Sequence, residues 1–247
     1  MLSLLVSSAQ LAQHLSDPDW IIIDCRHNLA DVEVGRIASH GAHIPGAHFF
    51  HLDQDLSGTK TGSNGRHPLP DVKSFAAKLA NIGIAKNKTV IAYDDAGGMF
   101  AARLWWMLRS LGHDKVALLD GGISQWLAEG RPVDAHVPAS TATIFTPTKS
   151  WDAVDADYVL QHLQQPDMLL IDARAPDRFA GQNETLDPMA GHIPGASNRF
   201  FKTNLDTNGC FKSADQLKKE FAALLKNNPP QQVVHQCGSG VTACHNL

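Results

Sequence analysis

The chain has 247 residues, 43% of them hydrophobic and 19% charged, with a formal net charge of −4. That is enough for one large domain or two ordinary ones with a buried core, and the acid excess speaks against a nucleic-acid or anionic-membrane partner. Four cysteines do not make a secreted disulfide framework at this length, and no apolar run approaches the ~18 residues of a membrane span, so a reducing, cytoplasmic setting is expected.

In chain order, Met1-Leu2-Ser3-Leu4-Leu5-Val6 has no basic flank and reads as a first strand, not a signal peptide. Helical patterning is then predicted at 9–15, 74–79, 99–110 and 123–129, the last entered through Gly121-Gly122. Short apolar runs at 20–24, 89–93 and 116–119 read as strands buried on both faces. Such alternation predicts an α/β fold with a mostly parallel sheet flanked by helices. Residues 131–149 are rich in Pro, Ala, Ser and Thr without helical periodicity and read as a linker. The boundaries that follow are a first domain at 1–133, a linker at 134–150 and a second domain at 151–247.

The chain is written twice. Gln13-His14-Leu15, Pro18-Asp19 and Ile21-Ile22-Ile23-Asp24-Cys25-Arg26 recur at one constant offset as Gln161-His162-Leu163, Pro166-Asp167 and Leu169-Leu170-Ile171-Asp172-Ala173-Arg174. His43-Ile44-Pro45-Gly46-Ala47 recurs, one residue further on, as His192-Ile193-Pro194-Gly195-Ala196. This is a tandem duplication.

The stretch richest in chemistry is Val233-Val234-His235-Gln236-Cys237-Gly238-Ser239-Gly240-Val241-Thr242-Ala243. It reads as a buried strand ending at Cys237, a tight glycine loop, and the start of a helix over 241–245. Loop N–H groups and a helix N-terminus both favour an anion, which would lower the thiol's pKa below ~8.5. In the first copy, Tyr93-Asp94-Asp95-Ala96-Gly97-Gly98-Met99 laid against His235–Val241 sets Asp95 in the cysteine position, so that loop is expected to be inactive. On the same alignment Leu247 falls opposite Trp105, residues 106–130 lack counterparts, and the chain is expected to be a fragment.

These motifs, with Leu118-Leu119-Asp120-Gly121-Gly122, resemble the two-domain rhodanese family of sulfurtransferases over essentially the whole chain. The loop form Cys237-Gly238-Ser239-Gly240-Val241-Thr242 is similar to that of the 3-mercaptopyruvate-using members. The resemblance implies that Cys237 takes sulfur from 3-mercaptopyruvate or thiosulfate as a persulfide and passes it to cyanide or a thiol. A thioredoxin-like protein or a low-molecular-weight thiol would be the acceptor; no cofactor or metal is implied. It also implies that Gly238, Ser239, Gly240, Val241 and Thr242 surround the donor. Arg178 would bind the donor anion with its guanidinium fork, and Asp53, His67 and Ser239 would move a proton. A cleft between the two domains is expected to hold these residues. One departure stands out: family members that use mercaptopyruvate usually carry a second arginine before the second His-Ile-Pro-Gly-Ala motif, and residues 182–190 contain none.

Rival readings are weaker. A cysteine phosphatase wants an arginine at the end of its loop, where this chain has Val241-Thr242-Ala243. Against a non-catalytic module that senses or carries sulfur or recruits partners stands the retention of Cys237, Arg178 and the glycine loop, while the expected missing end argues the other way. His43, His192 and His235 read as structural, Cys244 follows Cys237 too distantly for a redox pair, and no histidine or cysteine spacing suggests a metal site.

Overall fold

Residues 3–163 and 165–247 are described by the computed structural model. The chain divides into two units, Met1–Trp151 and Asp152–Leu247.

In the first unit β1 (Leu5–Val6), α1 (Ser8–Ala12), β2 (Trp20–Asp24), α2 (Val34–Gly41) and β3 (Ala47–Phe49) come first. They are followed by α3 (Val72–Asn81), β4 (Thr89–Tyr93), α4 (Ala101–Ser110), β5 (Val116–Leu119) and α5 (Gly122–Ala128). The strands form one parallel sheet in the order β1-β5-β4-β2-β3. Strands 20–24, 89–93 and 116–119 keep their predicted bounds, because Ile22, Ile23, Val90, Ile91, Val116 and Ala117 are all buried in the sheet. Helix ends shift where caps decide them. α1 starts early on a capping box between Ser7 and Gln10, and α3 starts early where the Asp71 side chain accepts from Ser74 N. α2 and β3, which flank the first His-Ile-Pro-Gly-Ala motif, were not anticipated.

The segment read as a linker is fastened to this unit. Asp134 pairs in both directions with the backbone of His43, Thr143 N donates to Ala80 O, and Thr148 N donates to Leu111 O. Phe145 is buried and Trp151 Nε1 donates to Pro70 O.

The second unit contains α6 (Ala156–Gln161), β6 (Leu169–Asp172), α7 (Pro176–Phe179), β7 (Ser197–Asn198), α8 (Ala214–Leu225) and β8 (Val233–Gln236). Short 3-10 turns lie at Phe201–Asn204, Pro230–Gln232 and Thr242–Asn246. Its parallel sheet runs β7-β6-β8, the same arrangement as β3-β2-β4. Among the described residues no helix is long and apolar enough to cross a membrane.

Candidate active site

Strand register fixes which residues of the two copies correspond. Asp24 lies opposite Tyr93, and Asp172, its repeat, lies opposite Gln236. One bond further on, Cys25 N donates to Tyr93 O at 2.7 Å and Ala173 N to Gln236 O at 2.9 Å. Cys237 therefore corresponds to Asp94, and the sequence alignment that chose Asp95 is wrong by one residue. The loop glycines agree: Gly97 and Gly240 match in this register, with φ of 71° and 72°. Left-handed backbone of this kind favours glycine.

Asp94 shows what this loop does. Its buried carboxylate accepts from Ala96 N and Gly98 N at Oδ1, both at 2.8 Å. At Oδ2 it accepts from Phe100 N at 2.8 Å and Ala101 N at 2.9 Å. Four N–H groups converge on one anion, while burial pushes the Asp94 pKa up against them. Gly122 presses on the same residue: a Cβ there would come within 2.2 Å of Asp94 O. Asp95, beside it, is exposed, and partial desolvation and the Asp94 charge raise its pKa.

In the second unit β8 ends at Gln236, one residue earlier than expected, and Cys237 follows it half-buried, with Gly238 and Ser239 half-buried after it and Gly240 exposed. Val241 and Thr242 turn inward and are buried. The expected helix start is not α-helical: 242–246 form a 3-10 turn, with Cys244 N reaching Val241 O and Cys244 Sγ reaching Gly240 O. So short a turn supplies no macrodipole of consequence.

Arg178 lies in α7, just beyond β6, the strand beside β8, so it and Cys237 both follow carboxyl ends of neighbouring parallel strands. Its fork is already engaged. Nε donates to Glu184 Oε2 at 3.0 Å, and Nη2 donates to Glu184 Oε1 at 2.9 Å and Asp187 Oδ2 at 3.0 Å. Glu184, whose side chain is 3% exposed, also accepts from Leu186 N and Asp187 N at Oε1 and from Arg174 Nη1 at Oε2. Burial works to raise its pKa, but the Leu186 N–H, the Arg178 guanidinium and the Asp187 N–H hold it down at about 2. Arg174 in turn clamps the fully buried Asp172 and donates to Gly191 O at 2.6 Å. The first unit repeats that inner pair as Arg26 on Asp24 and Ala42 O, without the outer carboxylates. Glu184 and Asp187 had no signal in the sequence, since they sit in a loop with no period to place them.

Asp53 and His67 come together in the first unit. His67 Nε2 lies 3.7 Å from Asp53 Oδ1, which also accepts from Lys60 Nζ at 2.6 Å. His67 is buried, and that burial, against the pull of Asp53, lowers its pKa to about 4, so its imidazole is neutral at pH 7. On the other side, His27 Nε2 lies 3.8 Å from Asp53 Oδ2.

Sequence spacing suggested no metal grouping, yet the fold gathers His27, His51 and Asp53. Both His51 nitrogens are occupied: Nδ1 accepts from Asp53 N and Nε2 donates to Val32 O. That leaves two open ligands, fewer than a resident ion needs. Of the histidines read as structural, His43 bonds Ser39 O and His136 O, and His192 bonds Phe179 O while stacking on its ring. His235, on β8, is held near pKa 4 by burial.

With this geometry in view, comparison with known proteins identifies the family. The family model for the rhodanese-like domain matches residues 7–129 and 155–247. A probable 3-mercaptopyruvate sulfurtransferase of Pseudomonas aeruginosa is 44% identical over 255 aligned residues, 98% of this chain and 87% of the relative. A thiosulfate/3-mercaptopyruvate sulfurtransferase of Arabidopsis thaliana is 34% identical over 97% of this chain and 76% of its own length. The solved 3-mercaptopyruvate sulfurtransferase from Leishmania major superposes with a TM-score of 0.87 at 31% identity, over 99% of this chain and 68% of that one. The chain belongs to the rhodanese-like family, as a tandem of two such domains in the sulfurtransferase branch.

Proposed function

We propose that this sulfurtransferase moves the sulfur of 3-mercaptopyruvate to a thiol or to cyanide through a persulfide on Cys237. The Cys237 thiolate attacks the donor sulfur and an S–S bond forms. The donor C–S bond breaks, and its electron pair leaves as the enolate of pyruvate, which takes up a proton. In the second half-reaction an acceptor thiolate, or cyanide, attacks the outer sulfur, and Cys237 departs as thiolate. Loop N–H groups from Gly238 to Thr242 balance the negative charge that Cys237 carries before, during and after each step. Arg178 is proposed as the anchor of the donor anion. Asp53, His67 and Ser239 are proposed to handle the proton, a neutral imidazole being the form that can accept one.

The observation that carries this reading is the Asp94 cradle: the corresponding backbone in the first unit turns four N–H groups onto an anion. A thiolate at the matching position is what a sulfur-transferring loop requires. The relatives named for 3-mercaptopyruvate and the Gly238-Ser239 loop favour that donor. A thiosulfate preference is the second reading, supported by the absence of an arginine in 182–190 and by the acidic partners of Arg178. The acceptor is proposed to be a thioredoxin-like protein or a low-molecular-weight thiol, and the setting cytoplasmic. Measuring kcat/KM with both donors, following pyruvate and sulfite as the two products, tests the choice. A thiosulfate preference above about tenfold, ~1.4 kcal/mol of transition-state binding, overturns it.

A further inference from the structure

Arg178 does not wait with an open fork. Glu184 takes two of its nitrogens, and Asp187 shares Nη2 at 3.0 Å. Among the described residues Nη1 alone makes no hydrogen bond. The local charges are Asp172, Asp177, Glu184 and Asp187 against Arg174 and Arg178, an excess of two negative charges. An anionic donor that approached this group intact would be repelled by the excess carboxylate.

The two carboxylates around Arg178 are not alike. Glu184 is deeply held by two backbone N–H groups and two guanidinium groups, and it fixes the plane of Arg178. The Asp187 side chain is 22% exposed, against 3% for Glu184, and accepts from Arg178 Nη2 through Oδ2. A donor carboxylate or sulfonate anchored by Arg178 would compete with it for Nη2.

We propose that Asp187 is a specificity-determining residue: an internal carboxylate on Arg178 that the donor anion must displace, with Glu184 as the positioning residue that stays. This rests on the reading of Arg178 as the donor anchor. Its consequence is that donor affinity is set by competition between Asp187 and the incoming anion. An anion large enough to reach both Nη1 and Nη2 gains most from the exchange.

The test compares the full-length protein with Asp187→Asn, Glu184→Gln and Arg178→Lys. KM and kcat for 3-mercaptopyruvate are measured together with the inhibition constant of pyruvate, a carboxylate that cannot transfer sulfur. Asp187→Asn is expected to lower KM and the pyruvate inhibition constant by the same factor, about three- to tenfold, the change falling on KM and not on kcat. Glu184→Gln is expected to raise both constants, because Arg178 loses its fixed plane. If Asp187→Asn leaves both constants unchanged or raises them while Arg178→Lys raises them, the displacement idea is wrong and the anchor stands. If Arg178→Lys changes neither constant, the anchor reading itself fails. A merely structural Asp187 would shift thermal stability without moving the pyruvate constant.

Discussion

The loop after β4 and the loop after β8 are copies of one device holding different groups. In the first, Asp94 fills the cradle with its own carboxylate and draws in four N–H groups. In the second, register puts Cys237 in that place, three residues before the matching left-handed glycine, Gly240. In the first loop the backbone holds an anion as a permanent structural plug, and in the second the same position carries the proposed nucleophile. The surroundings diverge in the same sense. Both units keep the buried Asp–Arg pair, but only the second extends it through Glu184 to Arg178.

The sharpest way to break the comparison is to exchange what each loop holds. Cys237→Ser keeps the loop but removes the sulfur nucleophile, and turnover with either donor should fall by about a thousandfold or more in steady-state assays. Asp94→Ala should leave donor chemistry without a direct lesion yet strip four N–H groups, two of them buried, of their partner. The first unit is expected to lose roughly 3–5 kcal/mol in denaturant unfolding, as for a buried network broken on one side. Asp94→Asn keeps one acceptor oxygen and should lose about half of that.

A gentler test uses pH. The folded-state pKa of His67 is lowered to about 4 from 6.5, so between those values the unfolded chain binds the extra proton. Stability from this group is therefore present above about pH 6.5 and is lost as pH falls toward 4. Thermal midpoints of the wild type should drop over that window, and His67→Gln should flatten part of the drop. His235 titrates in the same range in the second unit, so the difference between the two proteins is the quantity to read. Smallest of all, Ser239→Ala should lower kcat/KM for 3-mercaptopyruvate about three- to tenfold and for thiosulfate less, since only the former releases an enolate that needs a proton.

Much of the fold was legible because its strands are short β-branched runs between helices: 20–24, 89–93 and 116–119 emerged with their bounds intact. The His-Ile-Pro-Gly-Ala repeats located the entry to β3 in one copy, where Gly46 adopts a φ of 79°, although the strand itself went unread. The site was less legible. The two catalytic-type loops share almost no side chains, so aligning them by eye slipped one residue and chose Asp95. Only pairing with β2 and β6 fixes the register, because a one-residue shift reverses every side chain. The helix expected after Cys237 is a 3-10 turn, a distinction that an apolar run of five residues does not encode. Glu184 and Asp187 were invisible because loop contacts carry no periodic signature, and they change the meaning of Arg178 from an open fork to an occupied one.

The central claim is that Cys237 carries sulfur in the place where Asp94 carries its fixed charge. It is tested most directly by exposing the protein to 3-mercaptopyruvate without acceptor, digesting it under non-reducing conditions and weighing the cysteine-containing peptides. The account predicts a gain of one sulfur atom on the peptide bearing Cys237, none on those bearing only Cys25 or Cys210, and its removal when a thiol acceptor is added. Because Cys244 lies close by in sequence, Cys244→Ser must retain the added sulfur and Cys237→Ser must lose it. Sulfur that persists in Cys237→Ser, or turnover with no sulfur on Cys237 at any stage, would contradict the account.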